Sequence, residues 1–157
     1  MGGKRVMKGS HIKPPKRSYA FVDGSFNPVA KIYGCGGFLI DQFGKKHIIQ
    51  VSGDSEEWAV MRNVAGEILG AKKAMELAKN LGMKKLTIFH DYEGVANWPL
   101  GIWKAKKSVT KEYTQFVCSI MASGLKLYFH HVKGHSGISG NEEADQLAKE
   151  AVGLLKK

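Results

Sequence analysis

No apolar stretch in this 157-residue chain approaches the roughly 18–20 residues that a membrane-spanning helix needs, so no membrane partner is expected. Cysteine is scarce. Cys35 and Cys118 are the only two, too few for a disulfide framework and not at metal-ligand spacing. Both read as free thiols packed as small hydrophobes, which suits a reducing, cytoplasmic setting. Residues 1–18 contain no acid, and no apolar segment follows that positive start, so a secretory signal is not expected. Internal repeats are absent too, and nothing in the composition marks a second folded domain.

What is present is positive charge. Lys and Arg number 24 against 14 Asp and Glu, a formal +10, within an ordinary globular composition of 43% hydrophobic and 24% charged residues. Such a surplus points to a polyanion, nucleic acid first, although solubility alone also accounts for it. Lys4, Arg5, Lys8, Lys13, Lys16 and Arg17 crowd into residues 1–17 with five glycines and prolines. That segment reads as a flexible basic arm ahead of one folded domain over 18–157.

Three strands are expected at 19–23, 33–41 and 46–52, the last two joined by a turn at Phe43-Gly44. Val64, Ile68, Ala71, Met75 and Ala78 recur at helical spacing, and Gly82 suits a left-handed helix end. A strand follows at 85–91, then a turn or short helix to Trp98, a helix at 112–122, a strand at 125–132 and a helix at 141–155. Asn141 is placed to cap that last helix, and Glu142 and Glu143 suit its positive start. The expected fold is α/β: a mixed five-stranded sheet, three antiparallel strands then two more, flanked by helices.

Four acids sit at structural junctions beside apolar neighbours. Asp23 and Asp91 end strands, Glu67 lies inside an apolar helix, and Asp145 opens the last helix. Each alone is as readily a cap or a surface group. If the strand ends meet the helix faces, the four share a pocket, and converging carboxylates repel unless a cation lies between them. Oxygen-only ligands suit Mg²⁺ or Mn²⁺ rather than Zn²⁺.

Several runs resemble the motifs of type 1 ribonuclease H. They are Phe21-Val22-Asp23-Gly24-Ser25, Arg62-Asn63 ahead of Glu67, Phe89-His90-Asp91, and Val132-Lys133-Gly134-His135-Ser136-Gly137 followed by Asn141 to Ala148. The resemblance covers roughly residues 18–155, and its C-terminal part is the most specific. It implies the ribonuclease H-like fold and endonucleolytic cleavage of the RNA strand of RNA–DNA hybrids, leaving 5′-phosphate and 3′-hydroxyl ends. The implied quartet is Asp23, Glu67, Asp91 and Asp145, holding two divalent ions when substrate is bound, Mg²⁺ with Mn²⁺ as the alternative. His135, near neutral in pKa and flanked by Gly134 and Ser136-Gly137, fits a proton carrier. His130 and His131 read as packing or surface residues of a strand.

For the substrate, Gly24 and Ser25 are candidates for contact with the 2′-hydroxyl that marks RNA. Asn63 matches a family position in the minor groove, and a helix cap is its plain alternative. Trp98, Trp103, Lys104, Lys106 and Lys107 lie in an acid-free stretch that resembles the family's basic substrate-binding region. Glu93 stands where many relatives carry an uncharged amide. A monomer acting on an RNA–DNA hybrid is expected. The rival readings are a non-catalytic binder of hybrid or double-stranded RNA, and a DNA-directed nuclease of the same fold.

Overall fold

A computed structural model describes residues 5–8, 14–133 and 139–155. Its strands are β1 (Arg5–Lys8), β2 (Tyr19–Asn27), β3 (Ile32–Ile40), β4 (Lys46–Gly53), β5 (Lys85–His90) and β6 (Lys126–His131). The helices are α1 (Glu56–Ala59), α2 (Asn63–Asn80), α3 (Gly94–Asn97), α4 (Ser108–Ala122) and α5 (Ser139–Ala151). The strands β2, β3 and β4 form an antiparallel meander, and β5 and β6 run parallel to β2, giving the sheet order β1-β6-β5-β2-β3-β4. The five strands expected from the sequence are all present, with a sixth added. None of the described helices is long and apolar enough to cross a membrane.

The added strand corrects the reading of the arm. Arg5–Lys8 pairs in parallel with β6, from Arg5 opposite Tyr128 to Lys8 opposite His131, so the arm is not free along its whole length. Without it β6 would close the sheet with a row of unpaired backbone groups. Strand pairing uses amides that any sequence supplies, which is why composition gave no sign of it.

The bounds of three elements also shift. β2 does not stop at Asp23 but continues to Asn27, so Gly24 lies inside a strand. It is glycine because α2 sits directly on it: a Cβ there would lie 2.2 Å from the Asn63 carbonyl oxygen and 2.3 Å from the Glu67 nitrogen. On the other face of the sheet, a Cβ at Gly36 would lie 2.0 Å from the Ala148 nitrogen in α5. Bare strand surface thus lets each helix backbone approach closely and sets where its side chains emerge. α4 begins four residues early, at Ser108, because the Lys107 amide donates to Thr110 Oγ1 and that hydroxyl donates back to the Lys107 carbonyl. α5 begins at Ser139 and ends at Ala151, where Gly153 at φ 81° turns the chain, so it does not run from 141 to 155.

The larger core lies between the sheet and α2 and α4, and includes Val22, Ile68, Met75, Ile88, Tyr113 and Phe129. A smaller one under α5 is built from Phe21, Phe38, Phe89, Val132 and Ala144, with Phe21 and Phe89 stacked 4.6 Å apart. Burying a large aromatic or aliphatic side chain contributes about 1.5–3 kcal/mol, so these layers hold β2 and β5 firmly in the middle of the molecule. Cys35 is buried as expected, whereas Cys118 is exposed on α4 and not in the core.

Candidate active site

The four acids arrive from four directions. Asp23 comes from β2, Glu67 from the second turn of α2, Asp91 from just past β5, and Asp145 from α5. Asp23, Asp91 and Asp145 line one cleft of about 410 Å³, and Glu67 and Asp91 line the recess next to it. Glu67 is 3% exposed, and its Oε2 accepts hydrogen bonds from the Asp91 amide at 2.8 Å and the Tyr92 amide at 2.7 Å. It therefore pins the end of β5 to α2 and fixes Asp91 in the cleft. The Asp145 carboxylate takes an ion pair from Lys149 at 3.0 Å, one helical turn on.

Their electrostatics are those of crowded acids. Burial pushes the Asp23 carboxyl up to about 7, with the charges of Asp145 and Asp91 adding to the effect. Glu67 is raised well above the usual carboxylate range by its complete burial, then by Asp23. Among the described residues no three acids, histidines or cysteines stand as a ready-made ligand cage. The donor chemistry nonetheless fits a hard divalent cation, being all oxygen, strongly acidic in sum and short of positive charge.

Of the residues singled out for substrate, Gly24 and Asn63 line the cleft. Asn63 is the first residue of α2 and Arg62 precedes it as the cap position, so Asn63 is not the cap. Ser25 is only 8% exposed and is absent from the cleft lining. Strand alternation puts it on the same α5-side face of β2 as Asp23, and its burial is what keeps it out of the cleft. Lys104, Lys106 and Lys107 line a neighbouring cavity of about 320 Å³ with Tyr92 and Trp98. Trp98, Trp103 and Tyr92 form a triangle of rings 5.6–5.9 Å apart, and Trp103 opens onto the recess that holds Asp91, Glu93 and His131. The lysine run and the acids are thus joined by an aromatic wall. His135 lies outside the described residues.

Some site residues went unrecognised in the sequence. Asn141 is not a helix cap. It lies in the first turn of α5, 5% exposed, and lines the cleft with Glu142 and Gln146. The signal was available, since Asn141 and Glu142 stand four and three residues before Asp145 and so share its helix face. Tyr92 and His131 also border the site. His90 does not: it is buried, bonded through Nδ1 to the Tyr92 carbonyl, and held neutral by burial that pushes its pKa down to about 3.

The sequence profile of the RNase H family matches residues 15–153. Human ribonuclease H1 is 37% identical over 99 residues, which are 56% of this chain and 34% of that protein, so the chain spans about a third of the length of the mammalian relatives it matches. A ribonuclease H from Francisella tularensis subsp. novicida is 29% identical over 154 residues, covering 92% of this chain and 96% of the relative. Among solved structures, LC11-RNase H1 in complex with an RNA/DNA hybrid superposes with a TM-score of 0.65 at 17% identity, covering 85% of this chain and 97% of that one. Family profile, relatives and fold agree with the four converging acids: the chain belongs to the RNase H family, as a type 1 member.

Proposed function

We propose that this protein is an endonuclease that hydrolyses the RNA strand of RNA–DNA hybrids, leaving 5′-phosphate and 3′-hydroxyl ends. The observation that carries the reading is the meeting of Asp23, Glu67, Asp91 and Asp145 beside a rim of lysines and tryptophans. Support also comes from the family and from the hybrid that LC11-RNase H1 is named as binding. A pure binder gains nothing from clustered acids where phosphates must pass.

In this reading Asp23, Glu67, Asp91 and Asp145 hold two divalent ions, Mg²⁺ by preference. Such a pair supplies Lewis-acid activation of a water and neutralises charge at the reacting phosphate. The protein's own part is positioning. Glu67 fixes the Asp91 backbone, α5 delivers Asp145, and Gly24 lets Asn63 and the substrate backbone come close to Asp23. Lys104, Lys106 and Lys107 grip phosphates, and Trp98 and Trp103 pack against sugar and base.

The test is digestion of end-labelled hybrid, duplex DNA and duplex RNA with and without Mg²⁺. Metal-dependent cutting of the RNA strand of the hybrid alone is expected, with Asp91→Asn at least about 1,000-fold slower yet still folded and hybrid-binding. Cleavage of duplex DNA, or full activity in Asp91→Asn, would sink the assignment.

A further inference from the structure

The junction between α1 and α2 has a second side. Met61 and Val64 border the lysine-lined cavity, whereas Val60 and Arg62 border a groove of about 470 Å³ that runs to the β2–β3 hairpin. Two of the three non-glycine residues with positive φ among the described ones line that groove, and both are basic: Lys31 at φ 57° and Arg62 at φ 56°, ψ −128°. The Arg62 conformation belongs essentially to glycine. Glycine is plentiful along this seam, at Gly24, Gly34 and Gly66, yet at residue 62 the chain keeps a side chain in a strained backbone.

That side chain has a defined place. The Arg62 guanidinium lies 4.8 Å from the centroid of the Phe26 ring, exposed to solvent. Asp54 and Glu56 border the same groove, but neither forms an ion pair with Arg62 or Lys31 among the described residues. A guanidinium stacked on an aromatic face is pre-oriented, with its hydrogen-bond donors directed outward in a planar fork suited to phosphate. The groove also continues the active-site cleft. Arg62 adjoins Asn63, and Phe26 is two residues beyond Gly24 on β2, which is about 6.6 Å along a strand. A polyanionic strand laid over Asp23 and Asn63 therefore runs onto Phe26 and Arg62 next.

We propose that Arg62, held on Phe26 and assisted by Lys31, binds a backbone phosphate of the substrate, across the α1–α2 junction from Lys104, Lys106 and Lys107. This deepens the hybrid-nuclease reading and rests on it. Arg62 is a binding and positioning residue with no part in the bond-breaking step.

The experiment compares wild type with Arg62→Gly and Arg62→Lys. KM and kcat on the hybrid are followed across 50–300 mM salt, and thermal midpoints are measured alongside. Arg62→Gly relieves the strain, so its midpoint should rise. Its KM should nonetheless increase about 3- to 10-fold, with kcat within about twofold and the salt slope shallower by about 0.7–0.9, the value of one phosphate contact. Arg62→Lys should recover part of the KM. Hybrids with one uncharged methylphosphonate linkage, walked outward from the cut on either strand, should show one position that weakens wild type and leaves Arg62→Gly unaffected. A raised midpoint with unchanged KM and slope would make Arg62 purely structural and overturn the proposal. Wild type that fails to cut the unmodified hybrid would overturn the underlying reading as well, so the two failures are told apart in one series.

Discussion

The floor of the cleft and its rim are built on opposite plans. On the floor, Asp23, Glu67, Asp91 and Asp145 are buried or half-buried and fixed by helix–strand contacts at glycine, and burial with neighbouring acids raises the pKa of Asp23 and Glu67. On the rim, Lys104, Lys106 and Lys107 are exposed, make no ion pair among the described residues, and extend from a loop. In the proposed hybrid-nuclease reading, the floor needs precise positions because it acts on one phosphate, whereas the rim needs only charge because it holds many. The difference teaches that a basic protein of this kind separates affinity from chemistry in space, with the Tyr92, Trp98 and Trp103 rings between them.

The comparison breaks most severely if the floor moves. In Gly36→Ala the added methyl would lie 2.0 Å from the Ala148 nitrogen, 2.4 Å from the Leu147 carbonyl carbon and 2.6 Å from the Ala144 oxygen, so α5 must shift and carry Asp145 with it. Overpacking of this kind costs about 1–3 kcal/mol, and a displacement near 1 Å lowers activity about 100-fold. Thermal melting and hybrid cleavage should both report it. The rim should answer differently. Replacing Lys104, Lys106 and Lys107 together by Gln should leave the melting midpoint nearly unchanged and raise KM about tenfold. The slope of log affinity against log salt should fall by about 2–3, as expected for three lost phosphate contacts.

A subtler contrast lies in pH. The Asp23 pKa rises from 3.8 to about 7 on folding without metal, so the folded state holds that proton more tightly than the unfolded chain. Its contribution is therefore fully present below about pH 4 and is lost as pH rises through about 7, at up to about 1.4 kcal/mol per unit. Metal-free protein should melt several degrees lower at pH 7.5 than at pH 5. Asp23→Asn should flatten that dependence, and Mg²⁺ should raise the wild-type midpoint at pH 7.5. Substituting the three rim lysines should leave the pH profile unaltered. An unchanged Asp23→Asn profile would mean the acids are better solvated than their burial implies.

Much of this was legible in the chain itself. The helical period from Val64 to Ala78 and the apolar strand at 85–91 are local patterns, and both survive in the fold, whereas Asp23 lies inside β2 and not at its end. Gly24 was legible as glycine but not in its role. Next to Asp23 it reads as a strand end, and only the packing of α2 shows that the strand continues beneath a helix. Asn141 read as a cap for the same reason, because a helix start is fixed by backbone partners that sequence does not name.

By itself the sequence determined which chemistry was available: an oxygen-only set of acids, a lysine run free of acid, and the spacing that puts Asn141, Glu142 and Asp145 on one helix face. Periodicity and residue type decide those things, and both are properties of neighbours in the chain. The tertiary structure alone decided which distant residues meet. It brought Glu67 beneath the amides of Asp91 and Tyr92, buried Ser25 so that it does not line the cleft, laid Arg5–Lys8 along β6 and set Arg62 on Phe26. Those are contacts between segments far apart in sequence, fixed by close packing and by the need to pair buried backbone groups, and no local pattern encodes them.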